Sequence, residues 1–332
     1  MVVLKGMILV KLKRIACMAV AVCGVFALLL LSGCQQQEAA PSETATDVQL
    51  MQEAGKSTED PFYVLVVGND SRKGTTEIEN ANYADGTGRS DTMMLARVDP
   101  ETYRVTLVSI ARDTEATLDG SVVKINEIYR QGGIDAAIAE VEKLTGVHVR
   151  YYLDMGFVGF ENFVNEIGGI TANVPIDLHL KDIVGGDKIV LSAGTQELNG
   201  PQALVLARVR KLYAADIEAC RQIQDRQIVE AGIKQVAADP ANAAAHVDTL
   251  LANADTNWPT DELAAMVADF AAHADEITVL SGTGPYVGDF MEEYDGLWLT
   301  PRDEDTWKKV MQVVDEGGDP TTVVPLPEVE AA

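Results

Sequence analysis

The residues best suited to chemistry are arginines and aspartates gathered in short, separated clusters. Asp70 and Arg72 stand in Gly68-Asn69-Asp70-Ser71-Arg72, and Arg89 and Asp91 in Gly88-Arg89-Ser90-Asp91-Thr92. Arg112 and Asp113 lie in Ser109-Ile110-Ala111-Arg112-Asp113-Thr114. Arg208 and Arg210 form a pair, and Arg221, Arg226 and Gln227 follow. Guanidinium groups grip phosphate oxygens two at a time, so a convergent set implies a multiply charged anion, and a pyrophosphate fits. The competing account pairs each arginine with one of the many surface carboxylates. Asp70 and Asp91 would reach one sheet edge if their strands are neighbours. Two carboxylates plus phosphate oxygens suit Mg²⁺, a hard cation that keeps several waters. Against that, Asp70 would cap a turn and Asp91 would pair with Arg89.

Composition narrows the classes. The chain has 332 residues, 47% of them hydrophobic, which is enough to bury a sizeable core. Lys+Arg is 26 against 51 Asp+Glu, a net charge of −25. So acidic a chain is no general nucleic-acid binder, which needs a basic face to displace counterions. Three of the four cysteines, Cys17, Cys23 and Cys34, lie in the first 34 residues, leaving Cys220. That excludes a disulfide scaffold and a cysteine-rich zinc site. His148, His179, His246 and His273 show no ligand spacing.

The N-terminus carries an export or anchor signal. Lys11, Lys13 and Arg14 precede a charge-free run from Ile15 to Leu31, which ends in Leu31-Ser32-Gly33-Cys34. One reading is a bacterial lipobox, with Cys34 lipidated as the first mature residue. The other is an uncleaved membrane helix. Both put residue 35 onward outside the cytoplasm, because the positive end stays inside. Residues 35–60 are polar and read as a disordered tether. Residues 61–316 hold the folded domain, and 317–332 read as a disordered tail.

The elements that must position the clusters alternate. Phe62–Val67, Thr92–Val98 and Val105–Ile110 read as strands, the last two split by Asp99-Pro100-Glu101-Thr102. Ile134, Ala137, Ile138, Val141 and Leu144 mark a helix after Gly132-Gly133. Val149–Leu153 and Ile170–Val174 read as strands around a short helix over Phe157–Ile167. Asn199-Gly200-Pro201 opens a helix to Ala207, and Ile217–Ala238 is the longest helix. Helices over Asp261–His273 and Asp303–Val314 flank a strand at Ile277–Leu280. Strands alternating with helices predict a sheet covered on both faces, a three-layer α/β/α domain. The clusters fall beside strand ends and one helix junction, where open α/β sheets bind ligands.

These segments carry a resemblance. VLVVGNDSR (64–72), GRSDTMMLARVD (88–99), VTLVSIARDT (105–114), KINEIYRQGG (124–133), LDMGFVGFENFVNEIGGI (153–170), LNGPQALVLARVR (198–210) and DRQ (225–227) occur in this order. Together they resemble the LytR-CpsA-Psr family of extracytoplasmic phosphotransferases. The resemblance implies a single domain with a central mixed sheet. It implies an enzyme that moves a glycopolymer, such as teichoic acid or capsule, from a polyprenyl-pyrophosphate carrier to peptidoglycan in Gram-positive bacteria. The carrier's tail would lie in an apolar tunnel between sheet and helices, and its pyrophosphate would meet arginines and Mg²⁺ (or Mn²⁺).

By this resemblance Asp70 and Asp91 match the metal-site aspartates. Arg89, Arg112, Arg208, Arg210 and Arg226 match carrier-binding arginines. Arg112-Asp113, Arg208, Arg210 and Arg226-Gln227 match the catalytic set. Ala111 stands where proline is usual, and Asp216, Arg221 and Arg226-Gln227 are spaced more widely than the family's pattern, so Arg221 has no assigned counterpart. A peptidoglycan hydroxyl would attack the sugar-linked phosphorus and polyprenyl phosphate would leave. Asp113 is the nearest candidate base, unless it orients Arg112. A non-catalytic carrier-binding lipoprotein and a pyrophosphate hydrolase are the alternatives.

Overall fold

The computed structural model describes residues 60–76, 88–213 and 217–329. The chain divides into two units, 1–54 and 55–332, and every described residue belongs to the second. The expected anchor, Cys34, nearly all of the tether, and Asp216 lie outside the described residues. No helix among the described residues is long and apolar enough to cross a membrane.

The strands run in chain order: β1 (Phe62–Asn69), β2 (Ser90–Asp99), β3 (Arg104–Ser109), β4 (Glu115–Leu118), β5 (Ser121–Lys124), β6 (Val149–Gly156), β7 (Ile170–Val174), β8 (Leu178–Lys181), β9 (Lys188–Leu191), β10 (Gly194–Leu198), β11 (Asp255–Thr256), β12 (Thr278–Thr283), β13 (Asp289–Met291) and β14 (Leu297–Leu299). The α-helices are α1 (Ile125–Thr145), α2 (Phe157–Glu166), α3 (Gly200–Arg208), α4 (Ile217–Ala237), α5 (Ala243–Asn253), α6 (Thr260–Ala272) and α7 (Glu304–Asp315).

Six strands form the central sheet in the order β11-β6-β1-β2-β3-β12. It is mixed: β1 runs parallel to β6 and β3 to β12, while β1–β2, β2–β3 and β6–β11 are antiparallel. β1 shows why the sheet is covered on both faces. Tyr63, Leu65 and Val67 pack with residues of α1 and α7, whereas Phe62 and Val64 pack with residues of α5 and α6. A strand buried on both faces reads as a continuous apolar run, as β1 does. A second core joins α2, α3 and α4 to β7 and β10 and to the β8–β9 hairpin.

Local signals set the helix ends. Asn199 accepts from the Gln202 amide at 3.1 Å while the Gln202 side chain accepts from the Asn199 amide at 2.9 Å, a capping box with Pro201 in the first turn. α1 begins earlier than Gly132-Gly133 predicts. It starts at Ile125, and Gly133 (φ 70°, ψ −161°) breaks the helical path between a front segment and the expected amphipathic rear. Only glycine adopts that backbone region readily.

The expected disordered tail is corrected over residues 317–329. Pro320 is buried, and a Cβ on Gly282 of β12 would lie 2.6 Å from its ring. Val323 and Val324 pack on the core beneath α1 and α7. Apolar residues in the run Val323-Val324-Pro325-Leu326 supply the burial that composition obscured.

Candidate functional site

Close backbone contacts build a slot between the sheet and the helices of the α4 side. A Cβ on Gly159 of α2 would lie 2.2 Å from the Asn253 carbonyl at the end of α5, so only glycine lets these helices meet. The result is a cavity of about 620 Å³. Val64 and Val66 of β1, Leu107 of β3, Phe160 and Phe163 of α2, Ile233 of α4 and Phe270 of α6 are among its apolar walls. α4 contributes a stripe at helical spacing: Arg221, Asp225, Ile228, Gly232, Val236. The same cavity is lined by six arginines, Arg72, Arg89, Arg112, Arg208, Arg210 and Arg221, and by Asp70, Asp91 and Asp225.

The charged residues come from strand ends, as expected. The β1–β2 register shifts at Gly68/Asn69, a bulge that turns the chain just before Asp70. Asn69 donates to Asp154 Oδ1 at 2.7 Å, and the Tyr129 hydroxyl donates to Asp154 Oδ2 at 2.7 Å, pinning this strand end to β6. Asp70 accepts from the Arg89 amide at 2.6 Å, so it does cap a turn. Burial pushes its carboxyl above the usual range; the Arg89 amide opposes this and the nearby charge of Asp91 adds to it.

Asp91 pairs with arginines other than its neighbour Arg89. Its Oδ1 lies 2.6 Å from Arg112 Nη1 and 3.3 Å from Arg210 Nη2. Burial disfavours its charge, but Arg210, Arg112 and Arg221 outweigh this and hold its carboxyl below the usual range. Arg89 is exposed and instead meets Glu127 of α1 at 3.5 Å. Arg72 and Arg208 lie over the Phe157 ring, at 5.2 and 5.0 Å from its centroid.

Arg221, unassigned from the sequence, is central. It is buried, with Nη1 2.6 Å from Asp225 Oδ2 and 3.2 Å from Thr92 Oγ1, and its side chain also donates to Glu218. Burial alone would lower its pKa; Glu218 and Asp225 reverse this and raise it. Glu218 also faces Arg112 at 3.8 Å. The signal for Arg221 was present: Arg221 and Asp225 are four apart and fall on the apolar stripe of α4.

Three of the expected residues do not line the cavity. Asp113 pairs with Lys124 Nζ at 3.0 Å, and its nearest approach to Arg112 Nε is 4.0 Å. Arg226 lies one residue off the stripe and turns toward the sheet, where it donates to Ser109 Oγ at 2.7 Å. Burial there lowers its pKa to about 10. Gln227 is half-buried outside the cavity wall. Arg226 thus braces the end of β3, three residues before Arg112. Asp70, Arg89, Asp91, Arg112, Arg208 and Arg210 are brought together as expected.

The donor set accommodates Mg²⁺. Asp70 and Asp91 line one cavity. Mg²⁺ is commonly held by one or two carboxylates plus phosphate oxygens of a ligand. Among the described residues no group of three His, Cys, Asp or Glu is placed to hold a metal alone. Oxygens of an anionic ligand would therefore have to complete the shell.

Fold and cavity define a mixed α/β protein with a long apolar slot and a cationic mouth, a shape for a molecule with an apolar chain and an anionic head. The chain belongs to the LytR_cpsA_psr family, which matches residues 29–312. It is 32% identical over 206 residues to the polyisoprenyl-teichoic acid--peptidoglycan teichoic acid transferase TagV of Bacillus subtilis (strain 168), covering 60% of this chain and 50% of that protein. The match therefore spans half the length of TagV. With the TagU transferase of Bacillus mycoides (strain KBAB4) it shares 29% identity over 266 residues, 78% of this chain and 79% of TagU. The crystal structure of B. subtilis TagV superposes with a TM-score of 0.63 at 25% identity, covering 82% of this chain and 100% of that one. Lin1025 protein from Listeria innocua gives a TM-score of 0.56 at 26% identity, covering 78% and 98%.

Proposed function

We propose that this protein is an extracytoplasmic phosphotransferase that moves a glycopolymer from a polyprenyl-pyrophosphate carrier to peptidoglycan. The observation that carries the proposal is the junction of an apolar slot with six arginines at its mouth. Apolar walls gain by covering a polyprenyl chain, at roughly 25 cal/mol per Å² of surface removed from water. Convergent guanidinium groups suit a pyrophosphate and no neutral lipid head. The relatives named as teichoic acid transferases agree with a teichoic acid-like donor and a peptidoglycan acceptor.

The residues divide the work. Arg72 and Arg208, stacked on Phe157, and Arg210 and Arg112, aligned by Asp91, hold the two phosphates where charge gathers as polyprenyl phosphate departs. Preorganised cations stabilise such charge without reorganising during the reaction. Glu218 and Asp225 fix Arg221 so that it supports Asp91. Asp113, tied to Lys124, stiffens the turn that carries Arg112. Asp70 and Asp91 would hold Mg²⁺, whose chemistry there is to neutralise phosphate oxygens. The polypeptide would be held at the outer membrane face through its N-terminal segment, by a lipid on Cys34 or by an uncleaved helix.

The test combines the full chain, a lipid-linked glycopolymer and purified peptidoglycan, with and without Mg²⁺. Wall-bound glycopolymer and released polyprenyl phosphate are expected only with acceptor and metal present. Phosphate release without acceptor identifies a hydrolase, and tight carrier binding with no turnover identifies a binding protein; either result removes the transferase reading.

A further inference from the structure

Resting on that reading, we infer that the β13–β14 hairpin is a sugar-stacking platform, on which Phe290 and Trp298 hold the glycan strand of the acceptor beside the phosphate site. Among the described residues, three of the five exposed large hydrophobic side chains lie between residues 287 and 298: Val287, Phe290 and Trp298 at 70%, 65% and 39% exposure. Phe290 and Trp298 are direct cross-strand partners, so they share one face of the ribbon. Their rings meet edge to face, 4.9 Å between centroids and 78° between planes. The opposite face carries the buried Leu299. A two-stranded ribbon on a protein surface ordinarily turns polar residues outward. Here the outward pair is aromatic, and a clustered exposed apolar patch marks an interaction surface.

The hairpin is tied to the segment that follows Arg112. Asp295 and Gly296 both take positive φ, 54° and 73°, in its turn. Gly288 leaves the space Trp298 needs, since a Cβ there would lie 2.8 Å from the indole nitrogen. At the base, the Thr300 amide donates to the Asp113 carbonyl at 2.9 Å and the Glu115 amide donates to the Thr300 carbonyl at 2.9 Å. The ribbon is therefore hydrogen-bonded to the residue that follows Arg112. It also leaves the sheet from the C-terminal end of β12, the end at which β3 delivers Ser109.

Charge selects the occupant. Asp289, Glu292, Glu293 and Asp295, all exposed, lie on the strand and turn that carry the rings, and the whole chain carries −25. Such a rim repels anionic lipid headgroups, a phosphate-rich polymer and a second acidic copy of this chain. Carboxylates accept hydrogen bonds from hydroxyl and amide donors. An uncharged pyranose offers those donors at its edge and an apolar C–H face to an aromatic ring. Hydroxyl-rich sugars of the acceptor strand meet all these conditions.

The experiment uses the full chain and a β-1,4-linked N-acetylglucosamine hexamer. Trp258 and Trp307 are buried, so acrylamide quenching reports Trp298. Hexamer binding is expected to shield Trp298, and Phe290→Ala is expected to weaken binding of the hexamer and of sedimented peptidoglycan by about tenfold or more. Trp298→Phe should retain most of the affinity that Trp298→Ala loses. In the transfer assay Phe290→Ala should raise KM for peptidoglycan about tenfold while leaving KM for the lipid-linked donor unchanged. Phe290 is the most reliable site for substitution because it is largely exposed. Hexamer affinity and acceptor KM both unchanged in Phe290→Ala, with transfer intact, overturn the platform and spare the transferase. Phe290-dependent hexamer binding in a protein that transfers nothing keeps the platform and removes the transferase. Phe290-dependent binding to phosphatidylglycerol vesicles, or Phe290-dependent dimerisation by sedimentation, in place of hexamer binding overturns it.

Discussion

Replacing Arg221 with methionine tests the electrostatic frame of the site directly. Arg221 is 2% exposed and lies between Glu218 and Asp225, with Asp225 4% exposed. Methionine keeps much of the volume and deletes the charge, so the variant leaves two carboxylates with their main cation gone. Breaking a buried pair by removing one partner costs about 3–5 kcal/mol. At roughly 2–4 °C per kcal/mol for a domain of this size, the melting temperature should fall by about 6–20 °C at pH 7. The sign of the pH dependence follows from linkage. Burial already holds the Asp225 carboxyl above the ordinary range against the pull of Arg221, and without Arg221 it rises further; Glu218, which Arg221 holds below that range against burial, rises with it. The deficit is then complete above the raised folded pKa values and shrinks as pH falls toward ordinary carboxylate values. Urea denaturation at a series of pH values measures this, and Arg221→Met/Asp225→Asn should recover part of the loss as a coupling energy. A single variant within about 1 kcal/mol of wild type at pH 7, or a deficit independent of pH, refutes the reasoning.

Three further outcomes are expected. Asp70→Asn should weaken Mg²⁺ binding in calorimetry with carrier present by about tenfold or more, with circular dichroism unchanged; equal affinity removes Asp70 from the metal site. Phe157→Ala takes away the ring beneath Arg72 and Arg208, two cation–π contacts of roughly 0.5–1 kcal/mol each. Carrier affinity should drop about fivefold to thirtyfold, read by equilibrium binding against the exposed control Lys308→Ala. Burial, reinforced by Asp182, pushes the Glu161 carboxyl up to about 8. A raised folded-state pKa adds stability that is complete below the unfolded value and lost as pH rises through about 8. Glu161→Gln should accordingly flatten the decline in stability between about pH 4.5 and 8, and an unaltered profile counts against the assignment.

Much of the fold was legible because its signals are local. β1, β2 and β3 announce themselves by apolar runs bounded by Pro61, Asp91 and Asp99-Pro100, and α3 by Asn199-Gly200-Pro201. The β8–β9 and β13–β14 hairpins and α5 were not read. Their strands are three or four residues long, and α5 is rich in alanine with only His246 and Val247 among its buried larger side chains. In the site, strand ends placed Asp70, Asp91 and Arg112 correctly because one sheet edge collects them. Arg226 went astray through a matter of angle: it stands five residues beyond Arg221, about 140° around the helix, so the two cannot face one cavity. Asp113 went astray because only tertiary structure brings Lys124 to it.

The irregular joint at Gly133 lets the two halves of α1 meet one core at different phases, with Ile125 and Ile128 in front and Ala137, Val141 and Leu144 behind. In an unbroken helix, one inserted residue turns every later side chain by 100°. Ala137, Val141 and Leu144 would then rotate off the core, while Glu127 in the front segment serves a separate partner, Arg89. Because Gly133 is not helical, the rear segment need not continue the phase set by Ile125 and Ile128.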